Sequence, residues 1–355
     1  MIRVAINGYG RIGRVAHRVI LERFTDKIDL VAINAGASTD IKGWAYLLKY
    51  DTSYGVLPNS ISSKSQTPNS KSGIGSIIID EKEVLVLSEK DPTKLPWKDL
   101  NIDVVIESTG HFTEEEGLKA HLSAGAKAVV LSAPTKSDAI PTYVMSVNSM
   151  DYKGEEAISN ASCTTNCITP VAKVILDNFG VEKAMMTTIH GYTSDQRLQD
   201  GGHKDYRRAR AAAENIIPTS TGATIAATKA IPELEGLFEG LAIRVPVPVG
   251  SLSDFTFLVK KQTTKEEVNE ALKKAAKNPL YNGILEVTED PIVSSDIVGN
   301  HHSAIADLSL TQVVGGNMVK VVAWYDNEYG YANRLVEEVL LVAKFQVTSS
   351  NFQKK

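Results

Sequence analysis

The chain has almost no cysteine: two in 355 residues, Cys163 and Cys167, four positions apart. Two thiols cannot build a disulfide framework or a four-cysteine zinc centre, so any thiol here matters for its reactivity. Long hydrophobic runs are missing as well, none approaching the roughly 18 residues that span a bilayer. The first residues read as a strand rather than as a charged segment leading into an apolar signal core, and the expected location is cytoplasmic. Charge of one sign is also scarce, since 38 Lys and Arg against 42 Asp and Glu leave a net charge of −4. Nucleic acid and membrane surfaces gain no electrostatic attraction from that balance, which leaves a small molecule as the expected partner. There is no internal repeat. What is present, 43% apolar and 23% charged residues, is ordinary for a globular protein, and the length suggests two domains at about 150 residues each.

Residues 2–6 run apolar like a buried strand, a glycine turn follows, and Ile12, Val15, Val19 and Ile20 then repeat at helical spacing through Arg23 before a second strand at Leu30 to Ile33. Strand, helix and strand in about 35 residues make the βαβ unit of a parallel sheet. Further strands are expected at Ile77 to Ile79, Val84 to Leu87, Val104 to Ile106 and Ala128 to Leu131, with a helix from Glu114 to Leu122. The first part is therefore a doubly wound, Rossmann-type parallel α/β domain. Residues 57–76 are rich in Ser, Asn, Pro, Lys and Gly and predict an exposed loop. Beyond residue 240 long alternating strands (242–249, 255–260, 303–310, 319–325) predict a mainly antiparallel sheet in an α+β domain, with one helix opened by Thr264 and Glu267 in capping-box spacing. The expected division is 1–161 for dinucleotide binding, 162–327 for catalysis, a helix near 330–345 packing back on the first domain, and a polar, frayed tail over 346–355.

Asn7-Gly8-Tyr9-Gly10-Arg11-Ile12-Gly13 matches G-x-G-x-x-G directly after a strand and at the start of a helix. Gly8 allows the tight turn, Gly10 lets backbone approach a diphosphate, and Gly13 allows close helix–sheet packing, while the helix start favours the anion. The competing reading is a tight turn with no ligand, and the position at the first βα turn favours a dinucleotide. About 20 residues on, an NAD site usually carries an acid for the ribose hydroxyl. Here the second strand ends Asn34-Ala35-Gly36-Ala37-Ser38-Thr39-Asp40. The missing acid, with two hydroxyls nearby, admits a 2′-phosphate, unless Asp40 bends back to do the usual work.

Cys163 lies in Ser159-Asn160-Ala161-Ser162-Cys163-Thr164-Thr165-Asn166-Cys167, just before an apolar-periodic segment. A helix start lowers a thiol pKa, and polar neighbours argue against a merely buried thiol. Cys167, one turn on, is the better candidate for a small buried residue. A nucleophilic cysteine needs a proton acceptor, and His190, ending the apolar run from Ala184 to Ile189, is the first choice. His301 and His302 form an alternative, and His17, His111, His121 and His203 receive no role. Arg207, Arg208 and Arg210 cluster, by default as a solvated face, whereas Arg244 in an apolar strand needs an anionic partner if buried.

Over roughly residues 1–345 the sequence resembles the phosphorylating glyceraldehyde-3-phosphate dehydrogenases. The carrying segments are 7–14, Leu47-Leu48-Lys49-Tyr50-Asp51, Glu107-Ser108-Thr109-Gly110, 159–167, 218–222 and 324–330. The resemblance implies Cys163 as nucleophile and His190 as its base. It implies Ser162, Thr164, Thr221 and Gly222, with Arg208, at an inorganic-phosphate site, and Thr193, Asp195 and Arg244 at the substrate's own phosphate, Asp195 orienting Arg244. Gly8, Gly10, Arg11, Ile12, Gly13, Ala35, Lys90, Ser132 and Asn327 fall at cofactor positions, Asn327 on the nicotinamide carboxamide, with no metal. The expected partners are glyceraldehyde 3-phosphate and inorganic phosphate, in a cytosolic homotetramer.

Some positions depart from the family pattern. Ala35 stands where NAD-specific members carry aspartate, and Gly201 and Gly202 where those members often have Leu-Pro, so NADP use is expected, alone or alongside NAD. Gly191 replaces a common serine and Lys90 a common arginine. Erythrose-4-phosphate dehydrogenase is the competing enzyme, disfavoured by Thr193, Asp195 and the phosphate-site residues. A non-catalytic dinucleotide-binding module is the competing non-enzyme, disfavoured by the intact Cys163 and His190.

Overall fold

The computed structural model describes residues 1–69 and 73–352. The chain forms two compact units, the first from Met1–Tyr143, Tyr152–Ala161 and the chain from Ala332 onward, the second from Val144–Asp151 and Ser162–Tyr331.

The first unit is an eight-stranded sheet in the order Ala157–Ser159, Ala128–Leu131, Val104–Glu107, Ile2–Asn7, Ile28–Asn34, Lys82–Leu87, Gly73–Ile79, Ile61–Asn69. The first six strands are mutually parallel and the last two join antiparallel. The chain leaves Ile2–Asn7 toward one side of the sheet and later returns to place Val104–Glu107 on its other side, so strand order reverses between these two. The carboxyl ends of strands at such a switch point are where α/β sheets bind ligands. The strands are apolar on both faces, as burial beneath helices requires, and Val4, Ile6, Val105 and Val129 are inaccessible to solvent.

Two sequence expectations need correction here. Residues 57–76 are not an open loop, because Ile61–Asn69 pairs with Gly73–Ile79 as the edge hairpin of this sheet. An edge strand needs little apolar surface, since its backbone pairing is supplied by one neighbour and its remaining side meets water, so a Ser- and Lys-rich stretch qualifies. The C-terminal helix does not stop near 345 but spans Tyr329–Phe352, with Leu335, Val336, Val339 and Val342 fully buried. Of the polar tail, residues 353–355 lie outside the described residues.

The second unit carries a seven-strand path in the order Ile217–Ser220, Phe238–Val245, Val181–Gly191, Ser251–Val259, Met318–Tyr325, Ala304–Asp307, Leu285–Thr288, with Gln312–Val314 also on Met318–Tyr325. Most pairings are antiparallel, but Val181–Gly191 with Phe238–Val245 and Leu285–Thr288 with Ala304–Asp307 are parallel. Helix Cys163–Phe179 packs its apolar face into this unit's core with Phe255, Phe257 and Val321. Helix Lys265–Ala276 opens with the full capping box, Thr264 and Glu267 each accepting the other's backbone N–H.

The C-terminal helix buries an acid. Arg334 donates to Glu337 at 2.7 Å, while Glu338 meets the Asn160 amide at 3.0 Å in the amide orientation that satisfies both ends of Asn160. Burial, reinforced by the neighbouring Glu337 charge and opposed by Arg334, pushes the Glu338 carboxyl well above its usual 4.5. A carboxyl held neutral in the fold favours folding at low pH, and that contribution is lost as pH rises from about 4.5 toward the folded value. Glu338→Gln, neutral at every pH, is therefore expected to raise Tm more at pH 8 than at pH 5. Thermal melts at the two pH values check this, and equal shifts would refute it.

Candidate active site

In the first unit the glycine turn leaves the carboxyl end of Ile2–Asn7 at the switch point. Gly8 has φ +94, and a Cβ there would fall 2.5 Å from the Thr109 backbone nitrogen. At Gly13 a Cβ would fall 2.3 Å from the Gly8 carbonyl, whereas at Gly10 it would meet nothing within 4 Å. Two glycines thus allow close backbone approach and the third faces open space. No side chain caps the start of helix Arg11–Arg23, which leaves its positive end to an anion. This arrangement fits a dinucleotide's diphosphate.

The turn is anchored from beneath by residues to which sequence reasoning gave no role. Glu107, fully buried, accepts from Asn7 Nδ2 at 2.6 Å, from His121 at 3.0 Å and from the Thr109 N–H at 2.7 Å. Trp97 Nε1 donates to His121 Nδ1 at 3.0 Å, so the ring hydrogen sits on Nε2, facing the carboxylate. Asn34 donates to Asn7 Oδ1 at 2.7 Å and so joins the second strand to the network. A buried carboxylate with this many donors is stable without a cationic partner.

Around the second strand's end, Ala35 offers no carboxylate, and Asp40 does not bend back. Its side chain caps helix Ile41–Lys49 by accepting from Gly43 at 2.8 Å. Ser38 Oγ accepts from Trp44 Nε1 at 3.0 Å. The Arg11 side chain pairs with Asp51 through both terminal nitrogens and lies over the Tyr54 ring at 5.4 Å, so it is committed within the protein. Ile12 is half-buried on the same helix start and Lys90 is exposed. Ser132, partly exposed after strand Ala128–Leu131, donates its N–H to Glu107 O at 2.8 Å.

In the second unit Ser162 is the N-cap of helix Cys163–Phe179, its hydroxyl accepting the Thr165 N–H at 3.0 Å, and Cys163 is the first helical residue. Its Sγ lies 3.4 Å from Nε2 of the buried His190. The Nδ1 side of that ring meets the Gly191 carbonyl at 2.7 Å and Arg244 Nη1 at 2.8 Å. His301 and His302, the alternative base, instead lie against each other, ring centres 4.3 Å apart and tilted, with His302 Nδ1 3.0 Å from Glu286. Cys167 is buried against the Ala323 carbonyl.

The electrostatics differ from the expectation of a helix start alone. Burial pushes the Cys163 thiol up, and the Arg244 guanidinium and local hydrogen bonds oppose it without overcoming it. Burial, then Arg244, pull His190 down to about 3. The resting pair is therefore neutral, with a cation beside the imidazole.

Several side chains lock this geometry that the sequence did not single out. The buried Tyr325 hydroxyl meets Thr164 at 2.9 Å and Thr188 at 2.8 Å, and its ring lies edge-on to His190. Ser251 accepts the Gly191 N–H at 3.2 Å and donates to Asn327 Oδ1 at 2.8 Å. Asn327 is held by its oxygen, which leaves its NH₂ as a donor suited to a carboxamide. Asp195 does not orient Arg244 as expected. Its carboxylate pairs with Arg208 at 2.7 Å, because Arg208 and Asp195 share one polar loop while Arg244 points to the histidine. Thr193 turns its N–H to Gln196. Thr221 accepts the Ala223 N–H at 3.2 Å, and Gly222 opens helix Ala223–Ala230 with no side-chain cap. Gly201 and Gly202 are exposed, with no atom other than their chain neighbours within 3.5 Å of a built Cβ.

A dinucleotide-type turn in one unit, and a thiol against an imidazole in the other, are the parts of an oxidoreductase that uses a nicotinamide dinucleotide. Comparison sharpens the class. The family model for the glyceraldehyde 3-phosphate dehydrogenase NAD binding domain matches residues 2–115, and that for the C-terminal domain matches 162–327. Relatives named glyceraldehyde-3-phosphate dehydrogenase include those of Streptomyces coelicolor, 50% identical over 96% of this chain and 98% of the relative, and Borreliella burgdorferi, 49% identical over 95% and 98%. Glyceraldehyde-3-phosphate dehydrogenase 2 of Synechocystis is 49% identical over 97% and 99%. The chain belongs to the glyceraldehyde-3-phosphate dehydrogenase family. Among the described residues no helix is long and apolar enough to cross a membrane.

Since Arg244 lowers the Cys163 pKa, Arg244→Gln should move the thiol's titration upward and slow alkylation by iodoacetamide at pH 8 severalfold. Labelling rates across pH 6–10 check this, and unchanged or faster labelling would show that the guanidinium does not act on the sulfur.

Proposed function

We propose that the protein catalyses the reversible oxidative phosphorylation of D-glyceraldehyde 3-phosphate to 1,3-bisphosphoglycerate, with residues 1–161 and the C-terminal helix binding the cofactor and residues 162–327 carrying the chemistry. The observation that carries this reading is the 3.4 Å contact between Cys163 Sγ and His190 Nε2 at a helix start, beside the half-buried Arg244. Arg244 Nε is buried without a partner among the described residues. A half-buried guanidinium with an unused donor suits a phosphorylated substrate.

In this mechanism His190 takes the Cys163 proton as the sulfur attacks the aldehyde. The resulting thiohemiacetal oxyanion is held by the Cys163 N–H and by His190. His190 returns its proton to that oxyanion, giving the thiohemiacetal hydroxyl, and takes it back as the C–H hydride departs, leaving a thioester on Cys163. The nicotinamide dinucleotide, when bound, accepts the hydride. Asn327 holds its carboxamide and Gly8, Gly10 and Gly13 shape the diphosphate cradle, with Arg11, Ile12, Lys90 and Ser132 around it. Ser162, Thr164, Thr221, Gly222 and Arg208 receive inorganic phosphate, which attacks the thioester. Thr193 and Arg244 serve the substrate's C3 phosphate, and Asp195 acts through Arg208, with which it pairs. Ser162 supports the site through its cap rather than through a free hydroxyl.

The cofactor reading is NADP, alone or with NAD, supported by Ala35, by the capping role of Asp40 and by the open space at Gly201 and Gly202. The assembly is a cytoplasmic homotetramer, supported by apolar side chains such as Met185 and Leu241, exposed on one face of the second sheet.

Cys163→Ser should lower turnover by at least ~10³-fold with Tm unchanged, because the hydroxyl is a far weaker nucleophile than sulfur. Turnover within tenfold of the parent sinks the mechanism. Product formation should require phosphate, since oxidation of erythrose 4-phosphate to a free acid would not. Ala35→Asp should cut kcat/KM for NADP by ~10- to 100-fold while sparing NAD, as like-charge repulsion of a few kcal/mol implies. A parent enzyme that strongly prefers NAD would overturn the cofactor reading.

A further inference from the structure

His203 belongs to a closed ring of contacts that the mechanism above leaves without a purpose. Its side chain is only 7% exposed. Nδ1 lies 2.9 Å from the Asp205 backbone nitrogen and 3.0 Å from the Asp205 carbonyl. With Nδ1 accepting the Asp205 N–H, the neutral ring carries its hydrogen on Nε2, as the doubly protonated ring also does when its Nδ1 donates to the Asp205 carbonyl. That hydrogen faces Asp195 Oδ1 at 3.4 Å. The other Asp195 oxygen accepts from Arg208 Nη1 at 2.7 Å, Arg208 Nε donates to Thr219 Oγ1 at 2.9 Å, and Thr219 donates to Asp205 at 2.6 Å. The ring thus closes back on the residue that holds the histidine.

Of the five N–H groups on a guanidinium, Arg208 uses these two and a third on the Ser220 carbonyl at 3.2 Å. Among the described residues, one hydrogen on each terminal nitrogen has no partner. Asp195 alone would steer them poorly, because its side chain is 52% exposed and an exposed ion pair holds its geometry weakly. The histidine supplies a second, less exposed hold on the same carboxylate.

We infer that His203 is a positioning residue of the inorganic-phosphate site, fixing the Asp195 carboxylate so that Arg208 turns its two spare N–H groups to phosphate. This rests on the reading of Arg208 as a phosphate-binding residue. His203 touches neither substrate nor cofactor, so its removal acts on phosphate capture and not on oxidation.

The experiment compares His203→Ala, His203→Gln and His203→Asn in the full enzyme. It measures KM for inorganic phosphate, kcat, Tm, and the first-turnover burst of reduced cofactor without phosphate. Gln places an amide N–H near the Nε2 position, whereas Asn reaches only the Nδ1 position. His203→Ala should raise the phosphate KM about fivefold with kcat and burst within twofold, His203→Gln should recover most of that loss, and His203→Asn should not. An unchanged phosphate KM in His203→Ala overturns the inference, as does an equal loss in all three variants with the burst and Tm falling together, which marks a structural role. Arg208→Gln separates this from the parent reading. If it leaves the phosphate KM unchanged, Arg208 does not bind phosphate and both fall; if it raises the KM while His203→Ala does not, only the role of His203 fails.

Discussion

The proposed chemistry depends on one contact, a sulfur at the first residue of a helix facing an imidazole across 3.4 Å. Every neighbour either sets that distance or sets the charge around it. Tyr325 ties Thr164, next to the sulfur, to Thr188, two residues before the histidine. Ser251 ties the backbone just past the histidine to Asn327. Burial favours the neutral forms of both groups, and Arg244 acts on the two in opposite directions, favouring thiolate and disfavouring imidazolium.

Each unit has a helix start whose N-cap residue is a glycine, open to the anion proposed for it. Helix Arg11–Arg23 begins at Gly10, and helix Ala223–Ala230 at Gly222, neither with a side-chain cap. Helices Ile41–Lys49, Cys163–Phe179 and Lys265–Ala276 are capped by Asp40, Ser162 and Thr264. Leaving a helix start open forgoes roughly 0.5–2 kcal/mol of local stability, a loss that a bound diphosphate or phosphate reverses. The Glu107 network offsets part of it by holding the glycine turn in place before any ligand arrives.

The sequence made legible what is local and periodic. Helix Arg11–Arg23 stood out because a glycine turn opens it and Ile12, Val15, Val19 and Ile20 share a face, and helix Lys265–Ala276 because its capping box spans only four residues. The pairing of Cys163 with His190, 27 positions apart, was proposed from chemistry rather than spacing. What escaped depends on long-range pairing. The Ile61–Asn69 strand has the composition of a loop and becomes a strand only because an edge position demands so little of its side chains. Asp195 was assigned to Arg244 because nothing in the order of residues says which arginine a loop carboxylate will face. Tyr325, Ser251 and His121 lay unmarked for the same reason: each bonds across roughly 14 to 160 positions, with no local pattern to announce it.

The cofactor question turns on repulsion. A site selects NAD over NADP most simply by placing a carboxylate where the 2′-phosphate would go, because desolvating two anions against each other costs far more than a lost hydrogen bond. Here Ala35 removes that carboxylate, and the nearest substitute, Asp40, is engaged with the Gly43 N–H. Rotating Asp40 toward a ribose would break a helix cap, and the neighbouring Ser38 hydroxyl is already accepting from Trp44. In the first unit no arginine stands beside Ala35 in the sequence to reward a 2′-phosphate, and a hydroxyl-bearing loop accommodates a ribose as well. Selectivity built on removing an obstacle rather than adding an attraction is permissive, so a loop that admitted NADP in this way would have little means of refusing NAD.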